Sequence, residues 1–566
     1  MNKYYPIKHN AMRNLIYIFS ALSFLTFSCS GQTEKHKEDH HNDSHHTNGG
    51  WVITENEMLH KNRKHKSERM HFKLVNSKYQ NEEYLFDEVL EEIETLSDQR
   101  YKTLAPFIVE QDIATLQNHV MAGKFSYEEL TLFYLKRMFI YETNPTTSLH
   151  SIIAINPNVV TEARHRDKNK HLYRNDIFGM PILLKDNIDT KDMKTTAGAF
   201  VLKDNQPTEN ATIVDNIIAN GGLIIGKANL SEWAYYFCEG CPLGYSAIGG
   251  QTLNPYGPGQ FETGGSSSGS AVAVAANYAV AAVGSETSGS IISPSSQNSV
   301  VGLKPTTGLL SGEGIIPISH SLDTAGPIAK NVADAEILYG AMKNNFYGNS
   351  GSNFIGTEPK SNVPKDIRLG VFKSLLDDPE YSTALHKLKE KGVQIIEIEQ
   401  EEISLTGFLT LLNLDMRDDL PKYLKSLASQ HISEKNIQDI MATNRIDSMQ
   451  RMPYGQGVFE GILADKTTKE DFILLKDSLL KKGNDFFENP MQKYSLDAIA
   501  TVNNFHSAYA AVGMRPCLAI PMGLQESGEP KALTLITDSK TEARLLQLGK
   551  IVEGILNGRI TPKNYK

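Results

Sequence analysis

Residues 264–294 read GGSSSGSAVAVAANYAVAAVGSETSGSIISP. Ser266 and Ser290 each lie in a glycine turn, and the segment between the turns is almost purely apolar. The small apolar residues from Ser270 to Ala282 predict a helix packed closely on all sides, with serine and glycine at its start. Upstream, Lys185 lies in an equally apolar frame, GMPILLKDNID. One buried lysine and two serines held by glycine turns are the parts of a Ser-Ser-Lys nucleophile.

A Gly/Ser-rich run has simpler interpretations. A flexible linker would be polar on both sides, whereas this run opens directly into apolar residues. A phosphate-binding loop would carry the GxxxxGK[ST] spacing, and no lysine follows here. From the residues alone, a purely structural Gly/Ser turn stays open.

The stretch resembles the hallmark of the amidase signature family, a GGSS(G/S)GS turn followed by a (D/E)TGGSIRxP turn. Further motifs of that family follow from about Asp112 to Gly523, namely GMPILLKDNIDT, ANLSEWAYY, GYSAIGGQTLNPYG, VVGLKPTTGLLSGEGIIPISHSLDTAGPIAKNVADA and AAVGMRPCLAIPMG. This long ordered series identifies the chain as a member of the family. The resemblance implies an α/β amidase signature fold, with a large mixed central β-sheet covered by helices on both faces. It also implies hydrolysis of a carboxamide with no cofactor and no metal.

By this resemblance Ser290 is the nucleophile, Ser266 is the bridging serine on a cis peptide, and Lys185 is the general base. A serine hydroxyl is a weak nucleophile and needs a base within hydrogen-bond reach. Lysine accepts a proton only when it is neutral, and its free pKa is about 10.4. Because burial among residues 181–184 disfavours the charged form, we expect a pKa of about 7–8 for this lysine.

The second turn is expected to stabilise the negative charge that forms on the carbonyl oxygen. The resemblance assigns this to the backbone N–H groups of Thr287, Ser288, Gly289 and Ser290. Two positions depart from the family pattern. Ser288 replaces a glycine, which is tolerated unless that residue needs a positive φ. Ile292 replaces an arginine that forms a charged anchor behind the nucleophile, so altered or weak catalysis stays open.

Other residues are expected to support the site. The resemblance places Asp186 in its hydrogen-bond network, and Gly264, Gly265 and Ser267 surround the bridging serine. Asp189 is either a further site residue or a solvated acid of the same loop.

The cysteines give little indication of a metal site or a catalytic site. Cys238 and Cys241 form a CxxC without a second CxxC, so a metal site is disfavoured there, and a strained local disulfide stays open. Cys517 lies in an apolar run and is expected in the core.

Length and net charge limit the number of domains and the kinds of binding partner. The 566 residues fit one large α/β domain or two to three average ones. Because 57 basic residues face 66 acidic ones, the net charge of −9 argues against a nucleic-acid partner.

Residues 1–28 resemble a lipoprotein-type signal peptide. Three basic residues precede a short apolar stretch, 15–27, that is too short to cross a bilayer as a helix. Cys29 would be the lipidated residue, and an ordinary signal peptide is the alternative. Both interpretations predict export. The lipoprotein interpretation predicts a location in the bacterial cell envelope, in the periplasm or on the outer membrane, with a lipid anchor as the only membrane contact.

Residues 29–81 are polar and predict a disordered tether. Its histidine-rich piece, 36–46, is interpreted as a solvated spacer, with weak binding of transition metals as the alternative. Residues 82–566 are predicted to form the catalytic domain, with a variable helical substrate-side segment at about 405–490.

Local patterns predict the elements of that domain. Ser126 and Glu129 form a capping box at the start of a helix. The apolar runs at 182–184 and 222–226 predict buried strands, with a helix over 212–220 between them. Alternation of this kind indicates an α/β sheet.

The expected substrate is a peptide C-terminal amide or a small acyl amide. An esterase would use the same residues, and a non-catalytic protein that binds amides or peptides at the envelope is the alternative from another class. The export signal and acidic balance argue against a glutamyl-tRNA amidotransferase A subunit, which shares the motifs and needs intracellular tRNA.

Overall fold

The computed structural model describes residues 54–80, 82–172, 175–343 and 367–566. The predicted signal peptide, Cys29 and the histidine-rich piece lie outside the described residues, and so does the first part of the predicted tether. Within the described ranges, no helix combines the length and apolar character needed to cross a bilayer.

The β-strands of the described chain are short and mostly buried. In chain order they are β1 (Ile152–Ile155), β2 (Pro181–Lys185), β3 (Leu223–Ala228), β4 (Tyr245–Ser246), β5 (Gly250–Gln251), β6 (Ala281–Glu286), β7 (Val301–Lys304), β8 (Thr324–Ala329), β9 (Arg368–Phe372), β10 (Gln394–Ile398), β11 (Ala498–Val502), β12 (Cys517–Leu524) and β13 (Pro530–Ile536).

One sheet of eleven strands forms the centre, in the order β1-β3-β2-β6-β8-β7-β12-β13-β11-β9-β10. Strand β2 runs parallel to β3 and β6, and β9 runs parallel to β10 and β11, whereas the remaining pairs are antiparallel. Strands β4 and β5 form a separate antiparallel pair. The predicted large mixed sheet is confirmed.

Helices cover both faces of this sheet, as the sequence predicts. In chain order they are α1 (Glu55–Asn62), α2 (Leu90–Thr95), α3 (Asp98–Ile108), α4 (Ile113–Met121), α5 (Tyr127–Glu142), α6 (Val159–Lys168), α7 (Thr212–Ala219), α8 (Ser268–Ala275), α9 (Ile292–Gln297), α10 (Val332–Met342), α11 (Pro379–Glu390), α12 (Phe408–Ser426), α13 (Ile437–Arg445), α14 (Ser448–Arg451), α15 (Gly457–Ala464), α16 (Lys469–Tyr494), α17 (Ser507–Val512) and α18 (Glu542–Leu556).

The local sequence patterns predict helices and strands correctly where side chains cap or bury the element. The Ser126–Glu129 capping box starts α5 with both of its hydrogen bonds in place. Strands β2 and β3 are buried along their whole length, as continuous apolar runs between two helical layers should be. Helices α12 to α16 fill most of the segment predicted to be helical at 405–490.

The apolar segment between the two serine turns is not one helix. Helix α8 ends at Ala275, and Asn277 adopts the left-handed conformation, with φ at +60°. The side chain of Asn277 is held by Glu110, which both donates to it and accepts from it. The chain then continues as β6 in the centre of the sheet. A fully buried helix and a fully buried strand share the same apolar composition, so composition alone did not separate them.

The predicted tether is too long. Residues 54–80 are ordered elements of the domain: Thr54 and Glu57 form a capping box at α1, and Met70, Phe72 and Val75 are buried in the main core. The apolar residues here are few, but they are spaced so that each reaches the core. The low average hydropathy of this segment therefore led to the prediction of disorder, although the segment is packed against the core.

This early segment is also hydrogen bonded to late parts of the chain. The N–H of Lys73 donates to the Tyr454 hydroxyl at 2.7 Å, and its ammonium donates to the carbonyl of Pro453 at 2.7 Å. The N–H of Gln251 donates to the carbonyl of Val75 at 2.8 Å. The first described residues are therefore part of the folded domain.

Candidate active site

Lys185 is the last residue of β2, and its side chain is fully buried. Its Nζ donates to Ser266 Oγ at 2.7 Å, to Ser285 Oγ at 2.9 Å and to the carbonyl of Ser285 at 3.0 Å. Burial lowers the pKa of Lys185 to about 7, against the opposing effect of the Asp323 and Glu286 carboxylates. The predicted lowering of this pKa is confirmed, and a large fraction of the lysine is neutral near pH 7.

The first serine turn is built so that Ser266 faces this lysine. The Gly265–Ser266 peptide bond is cis, as predicted. A Cβ on Gly264 would lie 2.6 Å from the backbone of Pro294, and φ at this glycine is +68°. The turn therefore packs directly against the segment that follows the second turn, and only glycine fits at this position.

Ser267 joins the two turns. Its N–H donates to the carbonyl of Ser290 at 3.1 Å. Its hydroxyl donates to the carbonyl of Ser285 at 3.1 Å and accepts the N–H of the same residue at 3.2 Å. These bonds fix the first turn to the end of β6 and to the second turn, which is a supporting position of the kind that the sequence predicts.

Ser290 lies in the second turn with 9% of its surface exposed. In the described structure its hydroxyl forms no hydrogen bond, and none joins it to Ser266. The lysine and the first serine are therefore directly connected, whereas Ser290 is positioned beside them through its backbone. Hydrogen bonds to a nucleophile are often incomplete until substrate binds.

Glu286 holds the second turn and was missed by the sequence analysis. Its carboxylate accepts the N–H groups of Gly289 at 2.6 Å, Ile291 at 2.7 Å and Ile292 at 3.0 Å. The acidic first position of the (D/E)TGGS motif was the available signal. In this structure the Gly289 N–H is therefore bonded to a carboxylate of the protein rather than left open for a substrate oxygen.

The other amides of the turn have different surroundings. Among the described residues, no hydrogen bond acceptor is bonded to the backbone N–H of Ser288 or Ser290. Gly289 has φ at +87°, whereas Ser288 is not among the residues with positive φ. The serine that replaces a family glycine therefore occupies a conformation open to any residue, and the glycine that needs the left-handed region is present.

Ile292 occupies the position of the family arginine and is fully buried. It belongs to an apolar cluster with Phe372 and Phe486. Apolar packing behind the turn thus stands where the family pattern has a charge.

Thr287 connects the turn to a distant loop. Its hydroxyl donates to Asp323 Oδ1 at 2.5 Å, and Asp323 Oδ2 accepts the N–H groups of Ile318 and Ser319 at 2.8 and 2.9 Å. Burial raises the pKa of Asp323 to about 6, while these hydrogen bonds and Lys185 oppose the increase. The quoted SHSLDTAGP motif contains this residue, but spacing gave it no role.

Asp186 and Asp189 surround a second buried lysine, Lys227, rather than Lys185. Asp186 Oδ1 lies 3.8 Å from Lys227 Nζ, and the other oxygen of Asp186 accepts from Thr196. Asp189 is buried and accepts the hydroxyl of Tyr423 at 2.8 Å. The interpretation of Asp189 as a solvated loop acid is therefore wrong, and burial raises its pKa to about 7.

The cysteines are structural in the described chain. Cys238 and Cys241 form a disulfide, with Cα atoms 5.9 Å apart. Cys517 is buried in the apolar cluster around Ile292, as predicted.

The large mixed sheet thus carries one buried lysine, a first glycine turn bonded to it, and a second glycine turn joined to the first through Ser267, an arrangement that suits a hydrolase of the amidase type. A family model described as Amidase matches residues 129–546, and the chain belongs to this family, the amidase signature family. The protein is therefore an amidase, a hydrolase of carbon–nitrogen bonds in amides.

Most of this chain is similar in sequence and structure to known proteins. A probable amidase of Arabidopsis thaliana is 32% identical over 476 residues, which cover 78% of this chain and 89% of that protein. The crystal structure of an amidase family protein from Bacillus anthracis is 32% identical, with a TM-score of 0.80, and the match covers 86% of this chain and 99% of the other. The peptide amidase of Stenotrophomonas maltophilia is 31% identical, with a TM-score of 0.72, over 80% and 98% of the chains.

Proposed function

We propose that the protein hydrolyses a carboxamide through an acyl-enzyme on Ser290, with Ser266 as the proton carrier and Lys185 as the general base. The observation that carries this proposal is the 2.7 Å hydrogen bond from Lys185 Nζ to Ser266 Oγ. A lysine whose pKa burial lowers to about 7 can accept a proton at neutral pH.

The proposed reaction starts with neutral Lys185. It takes the proton of Ser266 as Ser266 takes the proton of Ser290, and Ser290 Oγ forms a bond to the amide carbonyl carbon. The oxyanion receives hydrogen bonds from the backbone N–H groups of Thr287, Ser288 and Ser290. Gly289 is left out because its N–H is bonded to Glu286. That carboxylate holds the turn in shape before substrate arrives.

The intermediate then collapses. The carbon–nitrogen bond breaks, and the leaving amine takes the proton that Lys185 holds, through Ser266. A water molecule attacks the carbonyl carbon of the resulting ester and gives one proton to Lys185 through Ser266. The bond from that carbon to Ser290 Oγ then breaks, Ser290 Oγ takes the proton along the same path, and the carboxylic acid leaves. Every proton is returned, so the site needs only substrate and water.

We further propose a peptide C-terminal amide or a small acyl amide as the substrate. The resemblance of the ANLSEW and GGQTLNPYG motifs supports this choice, and so does the 31% identity to a peptide amidase over 80% of the chain. The helical segment from α12 to α16 is the substrate-side segment in this proposal. A panel that compares amidated peptides with short acyl amides of the same acyl group tests it, because kcat/KM should favour one class clearly.

A fluorophosphonate probe tests the nucleophile directly. We expect one adduct on Ser290 by intact mass and peptide mapping, and none in Lys185→Ala, because an unactivated serine reacts poorly. Ser290→Ala should lose the adduct while keeping its fold by circular dichroism. Absence of any adduct, under conditions where a related amidase is labelled, would favour the non-catalytic binding protein. Faster turnover of matched esters with no amide turnover would favour the esterase.

The location is a separate proposal. We propose that the protein is exported and anchored in the cell envelope by lipid on Cys29, which the N-terminal sequence pattern supports. Labelled palmitate should enter the wild-type protein and not Cys29→Ala. Equal labelling of the two proteins would contradict the anchor.

A further inference from the structure

A cluster of metal-binding side chains lies outside the proposed catalytic residues. His320, from the loop before β8, meets Asp415 and Asp419 of α12, and one ligand atom from each lies within 4.8 Å of the others. We call these three residues the His320 cluster. His320 Nδ1 is 2.6 Å from Asp419 Oδ2 and 3.5 Å from Asp415 Oδ1.

Asp415 carries the independent evidence for a ligand. Only 1% of it is exposed, and its Oδ2 accepts the hydroxyl of Ser319 at 2.5 Å. Its Oδ1 has no hydrogen-bond partner in the described part of the chain, and it faces His320. A buried carboxylate oxygen without a donor is costly, and an ion or a water molecule is the usual explanation.

We propose that the His320 cluster binds a divalent transition metal ion, with Zn²⁺ as the best fit. Imidazole and carboxylate ligands lie about 2.0–2.2 Å from Zn²⁺, so the ligand atoms of a tetrahedral site are about 3.3–3.6 Å apart. The 3.5 Å separation between His320 Nδ1 and Asp415 Oδ1 lies within that range, whereas the 2.6 Å separation between His320 Nδ1 and Asp419 Oδ2 is a hydrogen bond that the ion would replace. The side chain of His320 is 58% exposed, so an ion can enter from solvent and keep water in its open position.

One neighbour opposes such an ion. The ammonium of Lys422, on an exposed side chain, lies 3.0 Å from Asp419 Oδ1. It competes for that carboxylate and repels a cation, so its removal should strengthen metal binding. A purely structural ion pair would give no such gain.

The cluster is connected to the second serine turn by hydrogen bonds. The Ser319 hydroxyl is bonded to Asp415, and the Ser319 N–H is bonded to Asp323. Asp323 in turn accepts the hydroxyl of Thr287, three residues before Ser290. A bound ion would therefore fix residues 318–323 and, through them, the turn that carries the proposed nucleophile.

The test uses the full chain in a background where the histidine-rich piece cannot bind metal. Its histidines are replaced by serine: His36, His40, His41, His45 and His46. After treatment with a chelator, this parent is titrated with ZnCl₂ by isothermal titration calorimetry. We expect one site per chain, and an affinity at least about 10-fold weaker in Asp415→Asn and in His320→Ala.

Two variants make the result specific. Lys422→Gln should bind Zn²⁺ a few-fold more tightly, and Asp418→Asn, on an exposed position of the same helix, should change the affinity less than about 2-fold. In the parent, Zn²⁺ should also slow hydrogen exchange of peptides covering 318–323 and raise Tm. Absence of binding in the parent would overturn the proposal. So would a loss in Asp418→Asn equal to that in Asp415→Asn, which would indicate general attraction to negative charge.

Discussion

Two buried lysines on neighbouring strands differ in what surrounds their ammonium groups. Lys185 ends β2, and Lys227 lies in β3, paired with Leu184 in the parallel register. Both are fully buried, and burial lowers the pKa of both. Lys185 is bonded to two hydroxyls and a carbonyl, whereas Lys227 has the Asp186 carboxylate at 3.8 Å and Asp189 close enough to raise its pKa.

The difference shows that burial alone does not make a base. A carboxylate beside a buried ammonium restores part of the stability of the charged form, so such a lysine serves as one half of an ion pair. Lys185 is hydrogen bonded only to neutral oxygens, and burial, against the opposing effect of the Asp323 and Glu286 carboxylates, leaves its pKa at about 7, so its proton is released near neutral pH. Neighbours from other segments, rather than depth, thus separate the catalytic candidate from the structural lysine.

The largest effect is expected from removing the ammonium of Lys185. Lys185→Met keeps an unbranched side chain in the same space and should lower kcat/KM for an amide by about 10²–10⁴-fold, because general base catalysis is lost. Its far-ultraviolet circular dichroism should match the wild type. A loss of only a few-fold would mean that Lys185 is not the base.

The matched change at the other lysine should act on folding instead. Lys227→Met leaves Asp186 and Asp189 buried without their cation, which should lower the free energy of unfolding by about 3–5 kcal/mol. Urea denaturation measures this change, and labelling of Ser290 per folded molecule should fall less than about 10-fold. Loss of labelling with unchanged stability would reverse the two assignments.

The pH dependence separates the two lysines without a change of substrate. Below the pKa of about 7, Lys185 is protonated, so the labelling rate of Ser290 should fall about 10-fold per pH unit and reach a plateau above pH 8. The unfolded pKa is about 10.4, so the unfolded chain binds more protons between pH 7 and 10.4, and Lys185 makes stability increase with pH there. Lys185→Met should lose this contribution to the slope. A rate that increases only above about pH 10 would contradict the assignment.

The smallest effects are expected from the hydroxyls that contact each ammonium. Ser285→Ala removes one contact of Lys185 and should lower kcat/KM by about 5–10-fold, the value of one hydrogen bond. Thr195→Ala removes the matching contact of Lys227 and should cost about 1 kcal/mol of stability, with kcat/KM within about 2-fold. Steady-state kinetics and urea midpoints for both variants test the pair. Equal kinetic losses would show that the two lysines are not distinct.

The sequence predicts those features of the site that local geometry requires. Gly264, two residues before the bridging serine, is required because the backbone of Pro294 packs against its Cα, and such requirements leave a motif in the sequence. The burial of Lys185 followed from its apolar neighbours, and so did its lowered pKa. The large mixed sheet followed from the resemblance and from buried apolar runs.

The rest depends on contacts between distant residues. Nothing near Lys227 in the sequence shows that two aspartates some forty residues earlier will meet it, and spacing does not show that Thr287 will bond to Asp323. The first two residues of β6, Ala281 and Ala282, were predicted as part of a helix because a central strand and a buried helix share one composition. In each case tertiary packing decided between interpretations that the local sequence allows.

The contact between Lys73 and Tyr454 also limits when the domain can fold during its synthesis. The two residues are 381 positions apart, so the N–H of Lys73 has no acceptor until Tyr454 and the surface around it have been synthesised. At about 5–20 residues per second, that interval is roughly 20–75 s of translation. During it, Met70, Phe72 and Val75 have no completed core to enter. The domain can therefore close only near the end of its own synthesis, and this is the interval in which a chaperone would find these residues exposed.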